Sequence, residues 1–178
     1  GVQTCALPIS AAQAYTFLKQ RFAEISNLNG ASSILHADAD TVMRKASGKD
    51  RANQLVALAT VMHEKISDPR VEDALNIAET KTRIMNPNHR RNLALMRRQW
   101  IHQAGLPLNL AQEKARIESE GQQLHTQYRK TGDWKIMGPH YERSFRAAKD
   151  IGEATMAGLG APTAHDALID RFSPGLTS

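Results

Sequence analysis

Asp68-Pro69-Arg70-Val71-Glu72-Asp73-Ala74-Leu75-Asn76-Ile77-Ala78 and Asn86-Pro87-Asn88-His89-Arg90-Arg91-Asn92-Leu93 carry the same signal twice. Each sets an Asp or Asn directly before a proline. A short polar side chain accepts hydrogen bonds from the free N–H groups at a helix start. Proline suits the first helical position, because the N–H it lacks would have no intrahelical partner there. Two helix starts are therefore predicted. The first runs through Val71, Leu75, Ile77 and Ala78 to about residue 84. The second puts Leu93, Met96 and Trp100 on one face and stops near Gly105.

Helical spacing continues on both sides. Upstream, Tyr15, Leu18, Phe22 and Ile25 recur at three- and four-residue steps, with Lys19, Gln20 and Glu24 off the stripe. Asn29-Gly30 predicts a break, followed by a short apolar piece at Ile34-Leu35. Ser47 predicts the cap of a helix over residues 48–66, with Asp50 in its first turn and Leu55, Leu58, Met62 and Ile66 as its buried face. Downstream, Leu106-Pro107 opens a segment that passes Leu110, Ile117, Leu124 and Tyr128 and closes at Thr131-Gly132. A long helix is predicted over residues 133–159, with Gly138-Pro139 as a kink or break. A short one covers 164–172. No stretch alternates in the manner of a strand. The predicted fold class is all-α, an antiparallel multi-helix array joined by short loops.

Composition agrees. The chain has 178 residues, 41% hydrophobic and 23% charged, enough for one domain with a core. Aromatics are only 5%, in a mix that favours helices. No apolar run is long enough to span a membrane, and no stretch reads as a secretory leader. The net charge is +5, spread over many helices, which permits acidic partners without requiring them. Cys5 is the one cysteine, so neither a disulfide framework nor a cysteine zinc site is available, and a reducing compartment is expected.

Both ends carry expectations. Gly1-Val2-Gln3-Thr4-Cys5-Ala6-Leu7-Pro8-Ile9 has no charge and no period. It can be encoded by GGA GTT CAG ACG TGT GCT CTT CCG ATC, which resembles the end of a common sequencing adapter. Residues 1–10 are therefore set aside as a disordered, translated artefact, and the source gene is expected to carry different codons upstream of about Ala11. At the other end, Ser173-Pro174-Gly175 closes an element and Thr177-Ser178 suits the start of another helix, which reads as truncation.

Candidate chemistry is sparse. A helical zinc peptidase sets two histidines four residues apart, one turn, with a glutamate beside the first as base on the metal-bound water. The nearest approach is His63-Glu64-Lys65-Ile66-Ser67, where Ser67 holds the second ligand position. His36, His89, His102, His125, His140 and His165 also lack a histidine four residues on, and read as surface or half-buried helix residues. His36-Ala37-Asp38-Ala39-Asp40 offers an imidazole and two carboxylates, and reads as a helix end with solvated acids rather than a metal or acid–base site. From Lys81 to Leu110 there are six basic side chains and no Asp or Glu, with Arg90, Arg91, Arg97 and Arg98 on one helical stripe. Such a stripe suits phosphates, but equally suits acidic neighbouring helices, and stacking partners are few. Trp134, Tyr141 and Phe145 read as core or packing residues rather than a ligand cage. Gly158 and Gly160 read as a helix stop, without the strand context of a dinucleotide loop. No catalytic, cofactor-binding or metal-ligating residue is assigned.

Three stretches resemble the carboxypeptidase Taq family of metallocarboxypeptidases. Ala14-Tyr15 through Ile34-Leu35-His36-Ala37-Asp38-Ala39-Asp40-Thr41-Val42-Met43 is similar to a family helix followed by Leu-Leu-x-Trp-Asp-x-x-Thr-x-Met-Pro. Arg51-Ala52-Asn53-Gln54-Leu55-Val56-Ala57-Leu58 resembles Arg-Ala-x-Gln-Leu-x-x-Leu. The most specific, Ala164-His165-Asp166-Ala167-Leu168-Ile169-Asp170-Arg171-Phe172-Ser173-Pro174-Gly175-Leu176-Thr177, resembles Tyr-Asp-Ala-Leu-Leu-Asp-x-Tyr-Glu-Pro-Gly-Met-Thr. Ala37 stands where the family usually has Trp and Arg44 where it has Pro. His165 and Phe172 replace Tyr, and Ser173 replaces Glu. These departures suggest a divergent branch or an altered groove lining.

The resemblance implies a cytoplasmic, mostly helical, homodimeric enzyme that removes residues from peptide C-termini with zinc or another divalent metal. The family's metal ligands and substrate-binding basic residues all lie downstream of the matching positions, so residues 11–178 are expected to support the groove and to be inactive alone. The alternative is a self-contained basic helical binding module for RNA or an acidic protein partner, which a strongly salt-dependent affinity would reveal. Helices that cover a groove are also expected to leave apolar surface bare, at some of Tyr15, Phe22, Trp100, Trp134 or Phe172.

Overall fold

The structure, a computed structural model, describes residues 10–176. Among them are seven α-helices and no strand: α1 (Ala11–Thr41), α2 (Gly48–Ile66), α3 (Pro69–Glu79), α4 (Pro87–Ala104), α5 (Leu108–Thr131), α6 (Trp134–Leu159) and α7 (Ala164–Asp170). Short 3-10 turns precede α2 and follow α3. The fold class is the all-α array expected. The readings placed on residues 1–9, and the start signal at Thr177-Ser178, lie outside the described residues.

The helix boundaries follow local chemistry. Asp68 Oδ1 accepts from the Arg70 N–H at 3.0 Å, and Asn86 Oδ1 from the Asn88 N–H at 2.8 Å, each with proline at the first position. Asp133 caps α6 and Thr163 caps α7 in the same way. Gly132 and Gly160 end α5 and α6 at φ 67° and 64°, a conformation that a side chain would strain. Ser10, grouped with the discounted opening, forms a reciprocal box with Gln13 that starts α1.

Several expectations are corrected. α1 runs unbroken through Asn29-Gly30, because Gly30 points into open space and its cost is borne by a long helix packed elsewhere. α3 stops at Glu79, and the stretch to Ile84 is a turn and a 3-10 segment. α6 is the one long helix expected, and of the kink or break weighed at Gly138-Pro139 the break is excluded; the Lys135 carbonyl that loses its partner lies at an exposed position, where solvent can serve it. α7 ends at Asp170, two residues early. Ser47 stands at the α2 cap, but its side chain makes no capping bond. Leu58 and Met62 are half-buried, while Leu55 and Ile66 are buried as expected.

The core gathers Ala14, Tyr15, Leu18, Phe22 and Ile25 of α1 against Ile66, Val71, Leu75, Ala78, Leu93 and Met96. Burying each large side chain contributes about 1.5–3 kcal/mol. The other half is built by α2 against α5, α5 against α6, and α6 against α7. Small residues set that second half: an added Cβ on Gly152 would run into the Ala164 carbonyl oxygen, so only glycine lets α6 and the start of α7 meet.

Candidate functional site

A cavity of about 330 Å³ lies where α1, α2, α4, α5, α6 and α7 converge. Its floor is apolar: Leu55, Ile66, Leu106 and Ala167 are buried. Its walls carry chemistry in His36, His63, His102, Lys114, Glu118 and Arg171. His63 Nε2 donates to the Leu106 carbonyl at 2.6 Å, which ties α2 to the α4–α5 turn. Lys114 pairs with Glu118 at 2.7 Å, one turn apart on α5.

Beside the cavity, Asp170 is a hub. Its Oδ2 accepts from Arg98 Nε and faces His102 Nε2, both at 3.1 Å, and its Oδ1 accepts from the Gly175 N–H at 2.9 Å. Burial alone would raise the Asp170 pKa. The Gly175 and His102 hydrogen bonds and the nearby Arg98 charge outweigh it and hold the carboxyl below its ordinary value. Three separated pieces, α4, α7 and the Pro174-Gly175 turn, are thereby joined through one carboxylate. A second hub, Arg143 on α6, bonds Glu113 at 2.5 and 3.0 Å and Glu120 at 2.6 Å, both on α5. The Arg143 side-chain bond holds the Glu113 carboxyl below its usual range against a smaller opposing effect of burial. Neither hub stands out in the sequence, although Asp170 falls inside the third family-like stretch.

The candidates weighed from sequence disperse. Asp38 pairs with Arg51, whose guanidinium also takes the Leu35 carbonyl, so the His36–Asp40 run is a latch between α1 and α2. Half of the basic stripe is committed internally: Arg97 to Glu79 and Asn76, Arg98 to Asp170. Arg90 and Arg91 are exposed. Trp134, Tyr141 and Phe145 are not core. They stack in sequence along α6, centroids 5.5 and 6.3 Å apart, with Trp134 60% and Phe145 72% exposed. Of the five residues expected to include bare apolar surface, Trp134 and Phe172 are exposed, Trp100 is half-buried, and Tyr15 and Phe22 belong to the core.

Among the described residues no group of three or more His, Cys, Asp or Glu is gathered to hold an ion. At His63 the side chain one turn on is the Ser67 hydroxyl, 3.5 Å from Nε2. No described helix is long and apolar enough to cross a membrane.

Comparison with known proteins places this architecture. The chain is 28% identical over 171 residues to thermostable carboxypeptidase 1 of Thermus thermophilus, covering 92% of this chain and 34% of that protein. Its fold matches the crystal structure of BsuCP with a TM-score of 0.82 at 18% identity, over 92% of this chain and 32% of that one. It matches Trypanosoma cruzi metallocarboxypeptidase 1 with a TM-score of 0.73 at 22% identity, over 93% and 33%. The chain thus spans about a third of the length of each. The model of the carboxypeptidase Taq (M32) metallopeptidases matches residues 17–178, and the chain belongs to that family.

Proposed function

We propose that this chain is the N-terminal helical part of a metal-dependent carboxypeptidase that releases amino acids from peptide C-termini. It forms a wall of the substrate groove and supplies no catalytic residue. The observation that carries this reading is the family match over residues 17–178 in a chain about a third as long as its relatives. The longer enzyme takes peptides as substrate, uses zinc or another divalent metal held by residues outside this chain, assembles as a homodimer and works in the cytoplasm. The use of Asp38 to hold Arg51, of His63 to hold the Leu106 carbonyl and of Asp170 to join His102 and Arg98 supports a positioning role for the helices described. The exposed Trp134–Tyr141–Phe145 stack supports a face that packs on further protein.

The binding-module alternative is weakened by the internal ion pairs of Arg97 and Arg98, which remove two of the four arginines a phosphate grip needs. The test is release of a C-terminal amino acid from an N-blocked dipeptide. The longer product of the same gene is expected to release it in a way that chelators abolish. Chelator-insensitive release, or none, would overturn the reading.

A further inference from the structure

The cavity among the helices is a different matter from the groove, because its walls combine features that specify a ligand of their own. Its 330 Å³ lies at the small end of ligand pockets. The floor of Leu55, Ile66 and Leu106 suits an aliphatic body. The charges on its walls do not cancel. Glu118 is the single carboxylate among the described lining residues, and Lys114 already pairs with it. Among the described residues the Arg171 guanidinium and the His36 ring have no hydrogen-bond or ion-pair partner, while both line the same space. An apolar floor beside the unpaired Arg171 guanidinium is complementary to one negative charge on a short hydrocarbon.

We propose that this cavity binds a small aliphatic carboxylate, its chain against Leu55, Ile66 and Leu106 and its carboxylate at Arg171. The assignment does not depend on the carboxypeptidase reading, since it needs neither a metal nor residues outside the chain.

The experiment is an NMR titration of the full chain at pH 7 and low salt with two probes of equal shape, 4-methylpentanoate and 4-methylpentanamide. The acid is expected to shift the amides of Ala59, Met62, Thr155 and Ala167 saturably, and to bind about tenfold tighter than the amide, the usual effect of one charge-assisted bond. Arg171→Gln should remove that advantage and leave amide binding unchanged. Ala59→Phe should fill the space and abolish both. Arg171 is exposed, so its substitution should spare the fold and decides the matter if Ala59→Phe does not fold. No saturable shift at about 10 mM acid, equal binding of acid and amide, or an unchanged acid affinity in Arg171→Gln would each overturn the proposal.

Discussion

His102 on α4 and Asp170 on α7 meet at 3.1 Å, through the same carboxylate oxygen that takes Arg98. The Asp170 side chain is 18% exposed, so its charge is substantially withdrawn from water and depends on these partners. Asp170→Asn should cost about 1–3 kcal/mol, because Arg98 would lose its counter-charge. Urea unfolding at pH 7 measures it.

The same carboxyl sets an acid response. Its folded pKa lies below the unfolded value of about 3.9, so its stabilisation is fully present above that pH and is lost as pH falls through the folded pKa. Stability should therefore drop below about pH 4, and Asp170→Asn should flatten that part of the curve. Circular dichroism melts across the acid range, from well below to just above that pH, check this; an identical acid limb in both proteins contradicts it.

Arg143 and Glu113 clamp α6 to α5 while remaining 39% and 36% exposed. After allowance for solvent screening, a double-mutant cycle of Arg143→Met and Glu113→Gln should give a coupling of about 1 kcal/mol. It should shrink at about 1 M salt, where the Debye length is about 3 Å.

Two glycines should respond oppositely. Gly152→Ala forces a methyl onto the Ala164 carbonyl and should destabilise by about 1–3 kcal/mol, or several degrees of melting temperature. Gly30→Ala meets nothing within 4 Å inside α1 and should stabilise by about 0.5–1 kcal/mol. Thermal melts of both variants settle the order.

That contrast marks what is legible in the sequence. Asp68-Pro69 and Asn86-Pro87 are readable because a cap and a proline act within one turn, and the structure puts both where expected. Asn29-Gly30 and Gly138-Pro139 look like breaks only while local propensity is weighed without the packing that carries a long helix across them. Residue type alone puts Trp134, Tyr141 and Phe145 in the core, and helical spacing cannot say whether a neighbour covers the face they share. The cavity is invisible in the sequence for the same reason: His36, Met62, Lys114 and Arg171 are brought together from four separate stretches. The family is legible from short local runs, above all residues 164–177.

The stacked face itself is testable. Trp134→Ser with Phe145→Ser should change the stability of this chain by less than about 1 kcal/mol, as exposed rings contribute little to folding. It should lower binding of a hydrophobic dye.

The central claim is that these helices position a groove and do not hold the reactive ion. Equilibrium dialysis of the full chain against micromolar zinc, with a parallel assay for amino acid released from an N-blocked dipeptide, tests it most directly. The account predicts less than stoichiometric zinc and no release. One tightly held zinc per chain together with turnover would contradict it.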